Sequence, residues 1–429
     1  MSRASEDSQR RSLAARARGL AIDVTPLRAS RDFRLLWSGE LVSQIGSQIT
    51  LVALFVQVYD LTKSSAAVGA VGLVQLGPMV LVSLGFGPQI DRRDRRRLLL
   101  LAQTGLMVAS LLLLLGSRLH DPPLVLLYGA AALNAAFMSI AMPTRSAMTP
   151  NLVGAELVPP AAALNQAMWN GAAVIGPAFG GLIVARAGLS WAYGADVATY
   201  VVALAAAFAL RPQLPHRAVG EEEETGWSAV TRGVRYLRHK RILQSTFTVD
   251  IVAMVFGMPR VLFPELADKQ FHRGPEVVGW MFSAVALGAL LGALTSGWVK
   301  RVRRPGLAIL IAVSVWGMGI IAFGISGTRL GFALLCLAVA GAADVVSAVF
   351  RATMQQLIVP DALRGRLSAF NILVVAGGPR VGDVEAGLVA AATTPTFSVV
   401  SGGALCLAGV ALIAATVPRF GRWHVGDPP

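Results

Sequence analysis

Charge is scarce in this 429-residue chain: 14% of its residues are Asp, Glu, Lys or Arg, against 55% hydrophobic. So few polar side chains cannot cover that much apolar surface in water, which excludes the two or three soluble domains the length would otherwise suggest. Cysteine is almost missing. Cys336 and Cys406 both lie in apolar runs, and the five histidines show no ligand spacing, so neither a disulfide framework nor a metal site is expected. No Gly-x-x-x-x-Gly-Lys-Ser/Thr loop occurs, so nucleotide-driven work would need a separate subunit. No enzyme activity, no cofactor and no required protein partner are expected. The first 30 residues are polar and Arg-rich without an apolar core, which argues against a cleavable signal.

What is abundant is the long apolar run. Twelve stretches follow one another, at 35–58, 68–88, 98–118, 122–142, 162–185, 190–210, 242–263, 276–298, 306–326, 330–350, 368–391 and 396–417. Each is long enough to close its backbone hydrogen bonds as a helix across about 30 Å of hydrocarbon. The unbroken runs Leu111 to Leu115 and Leu98 to Ala102 do not alternate, which excludes a β-barrel. The expected fold is an all-α polytopic membrane protein.

Lys and Arg crowd the side that would hold both termini, whereas the other side has Lys63, Arg118, Arg186, Lys269, Arg273 and Arg329. This bias predicts a multi-pass protein of the bacterial inner membrane with both termini cytoplasmic. The formal charge of +14 is then explained by topology and by attraction to membrane lipid rather than to nucleic acid.

The chain repeats at one constant offset. Arg145 and Asn165 recur as Arg351 and Asn371, and Gly176 and Gly181 recur as Gly382 and Gly387. The shared register predicts two six-helix halves, an arrangement of parallel repeats with a substrate path between them. The domain reading is a disordered basic tail at 1–33, a first half at 34–210, a central loop at 211–241, a second half at 242–417 and a tail at 418–429. In the central loop, Trp227, Val230, Val234 and Leu237 make one apolar face of a basic helix, which reads as a tether on the inner leaflet or a regulatory surface.

After the second span the chain reads Gly87-Pro-Gln-Ile-Asp91-Arg92-Arg93-Asp94-Arg95-Arg96-Arg97. Gly87 permits a tight helix exit, Asp91 can accept from a neighbouring helix terminus, and Arg92, Arg95 and Arg96 can tie this elbow to the rest of its half. A loop that only sets topology is the alternative. This string resembles the major facilitator superfamily motif, and the resemblance implies a major facilitator fold with a latch on the cytoplasmic gate. The second half is less complete, with Gly297 followed by Arg301 where the first half has Asp91.

Span five carries Gly171, Gly176-Pro177 and Gly180-Gly181. The Gly176 to Gly180 spacing lets another helix approach closely, and Pro177 leaves the carbonyl of residue 173 without its helix donor. The string resembles the antiporter motif of exporters in the superfamily; plain packing is the alternative. Arg260 to Asp268, Gly292 to Gly297 and Arg303 to Gly306 are similar to the branch containing the bacterial enterobactin exporter. That resemblance implies export of a siderophore or related metabolite; multidrug or macrolide efflux is the alternative. A non-transporting receptor or scaffold is the reading from another class.

Polar groups inside spans are costly unless paired or facing a cavity, so they mark candidate sites. Glu40, Gln44 and Gln48 share one face of span one and are candidate lining of the substrate path, with Asn134, Asn165, Arg260, Asn371 and Arg380. Asp344 and Asp250 are the first candidates for coupling to protons, followed by Glu40 and the acids Asp383 and Glu385. Arg380 and Asp383, three residues apart, can pair on one face of span eleven, as part of a gating or coupling site or as a static internal salt bridge. The ligands expected are a small molecule and protons.

Overall fold

The computed structural model describes residues 23–90, 93–214, 237, 240–359 and 361–424. Twelve long helices follow one another: α1 (Arg31–Thr62), α2 (Ser65–Ile90), α3 (Arg95–Gly116), α4 (Leu124–Val153), α5 (Val158–Ala187), α6 (Leu189–Phe208), α7 (Arg241–Phe256), α8 (Pro275–Leu294), α9 (Pro305–Gly324), α10 (Leu330–Ile358), α11 (Asp361–Ala392) and α12 (Pro395–Thr416). Local chemistry sets several ends. Ser30 caps α1 by accepting from the Phe33 N–H at 3.1 Å, and Thr394 caps α12 through Phe397 in the same way. Proline opens α8, α9 and α12, where its missing N–H costs nothing.

Among the described residues, eleven segments are long and apolar enough to cross a membrane. The helix α11, whose second half carries Arg380, Asp383 and Glu385, is not among them.

The helices pack as two groups. In the first, α1 lies against α5 and α6, α3 against α4 and α6, and α2 against α4. In the second, α9 lies against α10 and α12, α8 against α10, and α7 against α11 and α12. The groups meet where α5 crosses α8 and α2 crosses α11. The start of α1 and the end of α12 fall at one end of the bundle, called here the terminal end; the opposite end is distal.

Several boundaries differ from expectation. The helices α4 and α10 continue past their apolar runs, to Val153 and Ile358, so Arg145 and Arg351 sit inside helices and not in loops. Gly87 lies within α2, which leaves its helix only after Ile90. Span seven is broken: α7 stops at Phe256, and a 3₁₀ turn at Arg260–Leu262 leads into a separate short helix, Phe263–Lys269. The tails are partly built. A helical turn covers Thr25–Ala29, and Pro418–Arg422 is a helix whose Phe420 is fully buried against α9. Trp227, Val230 and Val234 lie outside the described residues, as do Asp91 and Arg92.

Candidate functional site

Two buried ion pairs occupy equivalent places in the two groups. In the first, Arg145 of α4 donates to Glu40 of α1 at 2.7 Å. In the second, Arg351 of α10 stands 2.7 Å from Asp250 of α7, and its other terminal nitrogen donates to Ser347 at 2.6 Å. All four charged side chains are buried. Each pair joins the first and fourth helix of its group; the arginines recur at the offset of the sequence repeat, while Asp250 stands one turn beyond the position that matches Glu40. The pairs differ in one further respect. Asp344 lies on the Arg351 face of α10, two turns away, and its Oδ1 is buried without a hydrogen-bond partner. The second group thus sets two carboxyls near one arginine, whereas the first sets one.

Glu40 and Arg145 stand in the wall of a cavity of about 410 Å³ at the terminal end of α1, α4 and α5. Trp37, Asn165, Gln166 and Trp169 complete much of its lining. Gln44 is buried one turn further along α1, and Gln48 packs at Gly176. Asn134 and Asn371 are half-buried on α4 and α11, and neither bonds to the ion pairs.

The charges of α11 do not pair as their spacing suggests. Asp383, 1% exposed, is held by Arg260 in a two-pronged bond, Nε to Oδ1 at 2.8 Å and Nη2 to Oδ2 at 2.6 Å. The Arg260 fork reaches across from the break after α7 and matches the carboxylate plane, which an arginine on the same helix, one turn away, does not do here. Arg380 instead donates back to the Ala376 carbonyl, and its Nε is buried without a partner. Among the described residues, Glu385 forms no ion pair.

The span-five glycines serve two neighbours. Gly176 and Gly180 face α1, where added Cβ atoms would meet Gln48 and Ile49. Gly181 and the Pro177 carbonyl face α8 at Pro275 and Gly279, and Ser283 of α8 donates to the Val174 carbonyl at 2.6 Å. The repeat mate of Gly181, Gly387 on α11, lies against Ser65 and Ala66 at the start of α2. These are backbone-to-backbone approaches between the groups, and they lie toward the distal end. Further toward the terminal end of the same helices, Gly77, Gly85 and Gly171 have nothing within 4 Å of an added Cβ. Among the described residues, the groups are therefore tightest at the distal end.

At the terminal end, Asp94 caps α3 and also accepts from the Gln213 N–H at 3.0 Å. Arg95 donates to the Ala147 carbonyl of α4 at 2.7 Å; Arg96 donates to Phe208 at 2.6 Å and Ala207 at 3.2 Å, where α6 ends. Cations at these helix carbonyls fasten the elbow within its own group. Gly297 and Arg301 lie in a 3₁₀ turn, Ser296–Arg301, after α8.

Asp196 on α6 is fully buried and accepts from Ser110 of α3 at 2.6 Å, Thr50 of α1 at 2.7 Å and Thr199 at 3.4 Å. Hydroxyls from two other helices give it a complete shell, so it cross-braces α1, α3 and α6. Sequence reasoning missed Tyr59, Ser65, Glu265 and Asp268, which join the groups at the distal end. The signal that could have found them is Gly257 with Pro259 inside an apolar run, which marks a helix break before Glu265.

The transmembrane secretion effector family matches residues 21–423. The enterobactin exporter EntS of Shigella boydii serotype 18 is 29% identical over 397 residues, covering 92% of this chain and 94% of that protein. Among solved structures, a POT family transporter in complex with 5-aminolevulinic acid has a TM-score of 0.72 at 12% identity, covering 91% of this chain and 97% of that one. A bacterial homologue of the iron transporter ferroportin has a TM-score of 0.70 at 15% identity, covering 92% and 99%. At these identities the two structures show a shared fold. With a family match over nearly the whole chain and a bundle of the same fold, the protein belongs to the transmembrane secretion effector family of the major facilitator superfamily, a membrane transporter related to the enterobactin-exporter branch.

Proposed function

We propose that this protein is a secondary exporter with twelve spans in two six-helix halves and cytoplasmic termini, moving a siderophore of the enterobactin type or a related metabolite out of the cytoplasm in exchange for protons. The carrying observation is the asymmetry of the bundle. Among the described residues its groups are tightest at the distal end, while the terminal end holds a cavity of about 410 Å³ with a buried ion pair in its wall. That is the arrangement expected of an exporter waiting for cargo on the cytoplasmic side. The substrate class is supported by the relatives known as enterobactin exporters. The buried oxygens of Asp344 and Asp250 that lack a hydrogen-bond partner support the coupling. When Arg351 turns from Asp250 toward Asp344, the carboxyl left behind takes up a proton, and the return of the guanidinium releases it.

The energetics suffice. One charge crossing 100 mV yields about 2.3 kcal/mol, and a tenfold gradient of a neutral solute costs about 1.4 kcal/mol. The test has two arms. A deletion strain grown in limiting iron should retain catecholate inside and secrete less; unchanged catecholate with raised sensitivity to macrolides would replace the siderophore by a drug. In proteoliposomes, efflux should follow an imposed pH gradient, and unchanged transport after collapse of both gradient and potential would rule out proton exchange.

A further inference from the structure

The charges around the second half of α11 do not balance where they stand. Arg260 takes both oxygens of Asp383, and that pair is complete. Arg380, one turn earlier on the same face of α11, is left over. Among the described residues it forms no ion pair. One of its terminal nitrogens donates to the Ala376 carbonyl of its own helix, and its Nε is buried without a partner. Glu385 does not offset it, because a separation of five residues turns the two side chains roughly 140° apart around the helix. Two arginines and one aspartate thus leave a net positive charge inside a membrane-spanning bundle, where an unpaired cation is costly and marks a ligand or a pathway.

The position of Arg380 along the seam between the groups says from which side a ligand would come. Toward the distal end the contact of α2 with α11 is backbone to backbone. An added Cβ at Gly387 would meet the Ser65 carbonyl, and one at Gly69 the Asp383 carbonyl. At Gly72 it would meet the Arg380 carbonyl at 2.9 Å and Asp383 Oδ2 at 3.1 Å. One turn further toward the terminal end the seam loosens. There Gly377 has the tip of Leu76 at 3.7 Å, and Gly77 and Gly85 of α2 have nothing within 4 Å. Arg380 therefore stands where the closed seam begins, at the head of the space that widens toward the terminal end. The turn of α2 that packs here presents Gly69 and Gly72, which carry no side chain and so no counter-charge.

We propose that Arg380 is the residue that selects for charge on the cargo: its guanidinium takes a carboxylate or phenolate oxygen at the head of the path while the distal seam is closed. The proposal rests on the export function given above and narrows the cargo to an anion. The two arginines divide the work. Arg260 neutralises Asp383 and holds it, whereas Arg380 keeps its charge for the ligand, and a guanidinium suits a planar oxyanion. When the groups part at the distal end, Gly72 withdraws from Asp383 and water reaches Arg380. The attraction between guanidinium and anion weakens in water, and the anion leaves.

The first test needs no transport. The purified protein in detergent is titrated with 2,3-dihydroxybenzoate and with 2,3-dihydroxybenzamide, which share a ring and differ in charge, and thermal unfolding reads binding. The carboxylate should stabilise the protein at concentrations roughly tenfold below those the amide needs, the effect of one charge-assisted hydrogen bond. Arg380→Gln should lose that preference and Arg380→Lys keep part of it, while Arg118→Gln, exposed at the distal end, keeps all of it. Without ligand, Arg380→Gln should unfold no lower than the unaltered protein, because it removes an unpaired buried cation; Arg260→Gln strands Asp383 and should unfold lower. Equal stabilisation by the two probes, stabilisation by neither, or an Arg380→Gln protein as unstable as Arg260→Gln overturns the proposal. Sodium chloride reproducing the effect of the carboxylate also overturns it, since the site would then hold an inorganic anion. In proteoliposomes, export of the carboxylate with an unchanged KM in Arg380→Gln removes the site and leaves the export function standing. A preference lost in Arg380→Gln, with no export by any form, leaves the site standing and removes the export function.

Discussion

The Arg351 guanidinium stands 2.7 Å from Asp250, and Arg145 stands 2.7 Å from Glu40 in the corresponding position of the other group. Removing one member of a buried pair strands a charge and typically costs about 3–5 kcal/mol, whereas removing both is far milder. Glu40→Gln is therefore expected to lower the unfolding temperature in detergent, and Glu40→Gln/Arg145→Gln to recover most of the loss. Thermal unfolding followed by tryptophan fluorescence checks this. A double variant no more stable than Glu40→Gln alone would show that the pair is not the unit of stability.

Asp344 and Asp196 are both acids inside helices, but their surroundings differ, and so should their variants. Asp344 has an oxygen without a partner, while Asp196 is enclosed by hydroxyl donors. Asp344→Asn should fold and move substrate down its own gradient but lose the response to an imposed pH gradient. Asp196→Asn should keep that response and instead be less stable, by roughly 1–3 kcal/mol for the disturbed buried bonds. Proteoliposome efflux with and without a gradient separates the two; an unaltered response in Asp344→Asn removes it as the proton carrier.

The glycines of α5 make a graded series. A valine at Gly181 would strike Pro275 and Gly279, whereas an alanine at Gly171 meets nothing within 4 Å. Overpacking of this kind costs about 1–3 kcal/mol, here charged against the state closed at the distal end. Gly181→Val should lower transport roughly tenfold, the effect of about 1.4 kcal/mol, and Gly171→Ala should leave it within about twofold. Initial rates at matched expression test the series, and equal rates for the two would contradict the distal-closure role of Gly181.

The elbow after α2 supplies a comparison between the halves. Asp94, Arg95 and Arg96 are already committed to helix ends of their own group, and Asp91 has Arg301 at the matching position of the second half. Asp91→Asn should lower transport strongly while Arg301→Ala has a small effect at equal expression. Equal losses would mean that the two elbows gate alike.

The helices were legible because membrane spans are long, apolar and regularly separated. The partners of charged side chains were less so. Arg145 and Arg351 looked like loop residues because the apolar runs end near 142 and 350, yet α4 and α10 go on to Val153 and Ile358 once ion pairs satisfy their charge. The contact of Asp383 with Arg260 rather than Arg380 depends on how the seventh span breaks, a relation between distant segments that local spacing does not encode. The break itself was written in Gly257 and Pro259, but the strong hydropathy on either side concealed it.

Asp196 also constrains how the chain is made. An unpartnered aspartate at the centre of a membrane helix costs about 2.5–3.5 kcal/mol on insertion, and its donors Ser110 and Thr50 belong to α3 and α1. Those helices leave the ribosome before α6 does. The order of synthesis therefore delivers a waiting set of hydroxyls before the acid arrives, and a circularly permuted chain that begins at α6 would have to commit Asp196 to lipid with its donors still unmade.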